Sequence, residues 1–369
     1  MNRDRSGIPE LLKTLDGQAV MTPAQWARRR QEILSLYQDA VFGRMAERSE
    51  FDERFEIVHD RPALDGKATD RAVRIHYEAK NGKAGSVRAR LLIPTGAVKP
   101  VPAFIVILWK DPTQLDWHTD LKPGYWPVEE IVEAGFCAAA FYCGDCDSDE
   151  DDHFSSGVHA VFGADAPRRG NQWGAISAWA WGFSRVIDYM EQDDDVDATH
   201  VGVVGQSRGG KTALWAGCCD PRIWLSVSND SGCLGAAIQH GNTGEQYRQI
   251  VGTFPFWFAD RFVETVQEGR ELPIDQHLMM SLLAPRLLYV ASATQDDWAD
   301  PQSEFLGAKM AGPAFELLGG RGLPADLPMP RPDTPVFSDH VGYHIRTGGH
   351  QLTVYDWRQF ILFARQHLK

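Results

Sequence analysis

A chain of 369 residues, 43% hydrophobic and 24% charged, has ordinary globular composition and ample length for a large core. A formal net charge of -13, with no basic cluster beyond Arg28-Arg29-Arg30, argues against nucleic acid or an anionic membrane as partner. No apolar run approaches the ~18 residues of a membrane span.

The N-terminus is polar and carries no signal-peptide core, so the chain as written reads as cytoplasmic, or as secreted or periplasmic if it is a trimmed mature form. Thr22-Pro23 is a helix-start signal, and Trp26, Ile33, Leu34, Tyr37 and Val41 recur at helical spacing up to Gly43. This predicts an N-terminal helical arm, about residues 1–50, laid on one main domain that fills the chain. The Arg28–Arg30 run reads as the solvated face of that helix. Residues 55–59, 71–79 and 87–94 alternate apolar and polar and read as antiparallel edge strands.

From Phe104 the pattern changes. Phe104–Leu108, Phe136–Tyr142, Val201–Val204, Trp224–Ser228 and Leu287–Ala291 are short apolar runs, the mark of strands buried on both faces. Helical stretches alternate with them at 127–133 and 173–190. Val341–Arg346 reads as the last strand and 356–368 as a C-terminal amphipathic helix. The alternation predicts an α/β fold with a mostly parallel sheet covered on both faces, a three-layer sandwich. The acidic stretch 145–152 fits no calcium loop and reads as solvated. Residues 311–338, rich in Pro and Gly, read as a surface excursion. Six cysteines in this length are not a disulfide scaffold. Cys143-Gly-Asp-Cys146 reads as plain loop cysteines, and Cys218, Cys219 and Cys233 as small apolar residues near the core.

One stretch carries the chemistry. After the Val201–Val204 run comes Gly205-Gln206-Ser207-Arg208-Gly209, and then a helical pattern from Thr212 to Ala216. This is a G-x-S-x-G nucleophile elbow in its required context of strand, sharp turn and helix. The glycines leave room for a strained turn, and the helix N-terminus offers free N–H groups to a developing oxyanion. Ser207 is therefore the expected nucleophile, and it needs a base and an orienting acid. In an α/β-hydrolase the histidine follows the last strand, a slot that His350 fills. The acid is open between two loops. Asp296, with neighbours Asp297 and Asp300, follows the Leu287–Ala291 strand, where this fold most often places it. Asp230 follows the preceding strand, and either loop could reach His350. The backbone N–H of Arg208 is a natural oxyanion donor and its guanidinium can add charge. Lys211 lies one helical turn from Ser207 on the same face. Both cations oppose the helix dipole, which points to substrate oxygens as their purpose. Glu245 and Trp298 are available as walls for a sugar.

With these residues in hand, the chain resembles the bacterial glucuronoyl esterases, carbohydrate esterases of the α/β-hydrolase superfamily. The resemblance rests on Gly205–Lys211, Val290–Pro301, Gly342–His350, Trp126–Glu129, Trp173–Gly182 and Phe254–Phe258, and covers most of the chain from about Thr22. It implies cleavage of esters between 4-O-methyl-glucuronic acid and lignin alcohols, with no metal or other cofactor. It also implies uronate contacts from Lys211, Glu245 and Trp298, with Arg208 at the oxyanion. The chain departs from the family pattern in two places. Asp230 stands where the family often has Glu, one methylene longer, so Asp296 is preferred as the acid, and the secretion signal is missing. The alternatives are an acetylxylan or other carbohydrate deacetylase, and an inactive carbohydrate-binding relative. A monomer acting on a small or oligomeric glucuronate ester is expected.

Overall fold

The computed structural model describes residues 3, 5–163, 168 and 170–368. Ten strands form one sheet: β1 (Phe51–Ala63), β2 (Ala68–Ala79), β3 (Ala84–Pro94), β4 (Val101–Leu108), β5 (Cys137–Tyr142), β6 (Val196–Gln206), β7 (Leu225–Asn229), β8 (Leu287–Ala293), β9 (Val336–Phe337) and β10 (Val341–Arg346). Their spatial order is β1-β2-β3-β5-β4-β6-β7-β8-β10-β9. From β5 to β10 every neighbouring pair is parallel, while β1–β3 join antiparallel at one end and β9 closes the other. The expected mostly parallel sheet is thus observed. Of the three alternating segments only β1 lies at the edge. β2 and β3 are interior, which is why Val73, Ile75, Val87 and Leu91 are fully buried.

Helices cover both faces because the parallel strands are apolar on both. On one face Trp179, Phe183 and Ile187 of helix Ala175–Met190 pack with Leu214 and Trp215 of helix Arg208–Cys219 and with Val201 and Val203. On the other, Trp357, Phe360 and Phe363 of the C-terminal helix Val354–Arg365 pack with Phe104 and Tyr289. The N-terminal helix Pro23–Ala40 starts where expected: Thr22 caps it, its side chain accepting from Gln25 N, with Pro in the first turn. Among the described residues, no helix is long and apolar enough to cross a membrane.

Three further readings of the sequence are corrected. The Arg28–Arg30 run is a solvated face only at Arg28. Arg29 is buried, with Nε donating to Leu11 O, and Arg30 donates to Leu282 O and Cys218 O. Carbonyls from distant segments satisfy these guanidinium groups, so burial does not orphan them. The excursion 311–338 is not all surface: Phe315, on the short helix Gly312–Leu317, and Leu323 are buried and pack in the core. The acidic stretch 145–152 is solvated only in part: Glu150 and Asp151 are exposed, whereas the acids before them are anchored. Asp145 makes several hydrogen bonds to Arg88, Asp147 is buried against His159, and Asp149 pairs with Arg208. Cys143 and Cys146 below it are buried, and burial pushes both thiols up.

Candidate active site

β6 and its neighbours deliver the elbow. Ser207 sits between β6 and helix Arg208–Cys219 at φ 60°, ψ -125°, a strained backbone that leaves its side chain at the carboxyl end of the sheet. Its N–H donates to Asn229 O at 2.9 Å, tying the turn to the end of β7. The glycines are required by space. A Cβ on Gly205 would stand 2.0 Å from Gly209 O, and one on Gly209 would stand 2.9 Å from Ile107 Cγ2.

His350 lies in the loop after β10. Its Nδ1 is 2.6 Å from Asp296 Oδ2, in the loop after β8. With Nδ1–H donating to the carboxylate, Nε2 is left as the basic nitrogen. His350 is partly exposed, whereas Asp296 is buried. Ser207, Arg208 and His350 line one cleft of about 370 Å³, walled by Trp109, Leu121, Tyr125 and Leu352.

Asp230 is beside this pair but bonded elsewhere. Its Oδ2 accepts from Arg346 Nη2 at 3.2 Å and from Gln351 N at 3.3 Å, while Oδ1 has no partner. Burial, then the neighbouring Glu304, push its carboxyl well above the carboxylate range, with Arg346 opposing. One donor atom each from Asp230, Asp296 and His350 lies within 4.8 Å of the others, close enough to surround a cation. Of the two other acids weighed from sequence, Asp300 caps helix Pro301–Met310, its side chain accepting from Ser303 N, and pairs with Arg3. Asp297 is exposed and forms part of a separate cavity with Asp300.

Lys211 is buried, donating from Nζ to Ser231 O at 2.6 Å with Glu245 Oε2 at 3.8 Å. Glu245 N donates to Trp298 O, and the Trp298 side chain is 54% exposed, free to meet a ligand. Lys211, Glu245 and Trp298 are thus joined through successive contacts that begin one turn along the elbow helix. Arg208 points its Nη1 at Asp149 Oδ2.

Sequence reasoning missed two residues here. Glu304, fully buried on helix Pro301–Met310, accepts from Ser231 N and Gly232 N at 2.8 Å each and from Ser292 Oγ at 2.7 Å. It joins the loop carrying Asp230 to the strand leading to Asp296. Burial pushes its carboxyl up to about 7. Asp149 is the other: it lies in the loop after β5, which leaves the same edge of the sheet as the elbow because β5, β4 and β6 run parallel, and no local pattern in the sequence pairs it with Arg208.

Known proteins now bear on this geometry. A family model described as glucuronyl esterase, fungi, matches residues 77–319. The carbohydrate esterase MZ0003, from an unknown prokaryotic organism, is 35% identical over 98% of this chain and 89% of its own length. The solved structure of a glucuronoyl esterase from Solibacter usitatus is 34% identical, covers 100% of both chains and superposes with a TM-score of 0.91. A glucuronoyl esterase from Teredinibacter turnerae is 28% identical over 99% of this chain and 90% of its own, with a TM-score of 0.85. The sheet order and the helical layers on both faces are those of the α/β-hydrolase fold of such enzymes. The chain belongs to the glucuronoyl esterase family and is a carboxylic ester hydrolase.

Proposed function

We propose that Ser207, His350 and Asp296 form the catalytic triad, and that the ester cleaved is that of a glucuronic or 4-O-methyl-glucuronic acid. The observation that carries this is the 2.6 Å contact between His350 Nδ1 and Asp296 in a cleft that also holds the elbow serine. His350 Nε2 takes the proton of Ser207 Oγ as it attacks the ester carbonyl, and returns it to the departing alcohol. Water, deprotonated by the same nitrogen, then attacks the acyl-serine, and the proton passes to the departing Ser207 Oγ as the uronate is released. Asp296 holds the ring orientation and stabilises the imidazolium. The N-terminus of helix Arg208–Cys219 and the Arg208 guanidinium face the oxyanion.

The sugar half falls to Lys211, Glu245 and Trp298. Lys211 can bridge ring hydroxyls while its charge is balanced by Glu245, and Trp298 offers an apolar face to the ring. Curated relatives named 4-O-methyl-glucuronoyl methylesterase, among them that of Hypocrea jecorina at 36% identity over 46% of this chain, support a uronate ester over an acetyl group. The experiment is turnover of a glucuronate benzyl ester set beside an acetylated xylo-oligosaccharide, for the native enzyme and for Ser207→Ala. Hydrolysis of the uronate ester alone, lost in the variant by ~10⁴-fold or more, is expected. Preferred release of acetate would overturn the substrate, and native-like turnover by Ser207→Ala would overturn the nucleophile.

A further inference from the structure

Asp149 lies in the loop between β5 and helix Gly157–Phe162, at φ 62°. A non-glycine residue keeps that left-handed conformation when its surroundings over-determine it. Here they do. Its N–H donates to Asp147 Oδ1 at 2.9 Å. Asp147 is itself buried, its carboxylate 3.2 Å from His159 Nε2 and its carbonyl accepting from Trp179 Nε1 at 3.1 Å. The Asp149 carboxylate is turned inward by this scaffold, and both its oxygens are engaged. Oδ2 accepts from Arg208 Nη1, and Oδ1 accepts from Trp257 Nε1 at 2.8 Å. Three rings flank the same guanidinium, with centroids at 5.2 Å for Trp257, 5.7 Å for Trp109 and 5.9 Å for Phe254. Trp257 in turn stacks on Phe254 at 3.9 Å.

We propose that Asp149 is a positioning residue for Arg208: it fixes the guanidinium beside Ser207 and keeps its charge paired, so that Arg208 serves the transient oxyanion without retaining the carboxylate product. The proposal rests on the reading of Ser207 and Arg208 given above. Two physical arguments support it. A group that stabilises a charge present only in the transition state must be in place beforehand, and a long, partly exposed arginine held by nothing would have to be ordered in each turnover. The second argument concerns charge. The ester is neutral at the reacting carboxyl and the product is an anion. An unpaired Arg208 would therefore favour the product complex over the substrate complex, and that binding does nothing for the chemical step. A paired Arg208 carries little net charge towards a resting ligand, while its remaining N–H donors stay directed. Burial pushes the Asp149 carboxyl up, and Arg208 is the largest influence holding it down.

The test is a double-mutant cycle. kcat and KM for a glucuronate benzyl ester, the inhibition constant of free glucuronate and the melting temperature are measured for the native enzyme, Asp149→Asn, Arg208→Gln and the double variant. Asp149→Asn is expected to lower kcat by ~10–100-fold with KM little changed. It is also expected to strengthen inhibition by glucuronate several-fold. In the Arg208→Gln background the same substitution should change neither quantity. Trp257→Phe keeps a ring and removes only the donor to Asp149. It should move both quantities the same way by less, and it carries the test if Asp149→Asn does not fold. A loss of undiminished size in the Arg208→Gln background, or unchanged product inhibition in Asp149→Asn, would overturn the proposal. Turnover surviving Ser207→Ala would instead overturn the reading beneath it, so the two failures are distinguishable.

Discussion

β10 and the loop after it supply two histidine–carboxylate pairs that look alike in a list of distances. His344 Nε2 is 2.8 Å from Asp356 Oδ1, and His350 Nδ1 is 2.6 Å from Asp296 Oδ2. Their surroundings separate them. His344 is fully buried, and its second nitrogen is engaged by Tyr289 OH at 3.0 Å. Asp356 also takes Arg346 Nε at 3.0 Å and Thr353 N at 2.7 Å, so it fixes the start of the C-terminal helix. Every polar atom of that pair serves the core. His350 commits one nitrogen to Asp296 and faces the cleft that holds Ser207. A histidine–carboxylate contact is thus a structural strut when both ring nitrogens are spent, and a candidate base when one is left beside a nucleophile.

The largest expected effect breaks the comparison on the cleft side. Asp296→Asn should lower kcat for a glucuronate ester by about 10⁴-fold with KM little changed, because the amide favours the wrong tautomer of His350. The corresponding change on the core side, His344→Ala, should cost roughly 3–5 kcal/mol of stability by leaving Asp356 and the Tyr289 hydroxyl short of a buried partner. Activity per folded molecule should be retained. Denaturant melts paired with active-site titration separate the two outcomes.

Asp230→Asn sharpens the comparison further. Asp230 holds Gln351 N and Arg346 rather than the ring of His350, so kcat should fall by only about tenfold. A loss as large as that of Asp296→Asn would make Asp230 the working acid. Lys211→Ala should raise KM for glucuronate esters by about tenfold while sparing aryl acetates, measured by steady-state kinetics on both.

The smallest expected effect concerns Glu304, whose carboxyl sits near 7 against an ordinary value of 4.5. Between those values the folded protein binds more protons at this site than the unfolded chain. Stability from this group therefore falls as pH rises from about 4.5 to about 7 and stays lower above it. Glu304→Gln keeps an acceptor for Ser231 N and Gly232 N and offers Ser292 Oγ a donor. It should melt a few degrees above the native protein at pH 8, with no advantage at pH 4. Differential scanning calorimetry across that range checks it.

Much of this was legible in the sequence. The apolar runs marked β4–β8, because strands buried on both faces need no alternation. The elbow was readable because its glycines are forced by contacts as short as 2.0 Å. His350 was readable from its slot after the last strand. The distant carboxylates that brace the site were not. Asp149 lies 59 residues from Arg208 and Glu304 lies 73 from Ser231, and only the packed fold brings them together. The same holds for Arg29 and Arg30, read as solvated because nothing local shows that the carbonyls of Leu11, Cys218 and Leu282 will meet them. Local pattern reveals which face of an element is apolar. It does not reveal which buried charge finds a partner across the sheet.

The most direct measurement is labelling by a serine-directed fluorophosphonate, followed by peptide mapping and by comparison of labelling rates. The account predicts a single adduct on Ser207, forming ~10³-fold or more slowly in His350→Ala and near the native rate in His344→Gln, which keeps a polar side chain in the buried strut. An adduct on another residue, or native-rate labelling of Ser207 in His350→Ala, would contradict it.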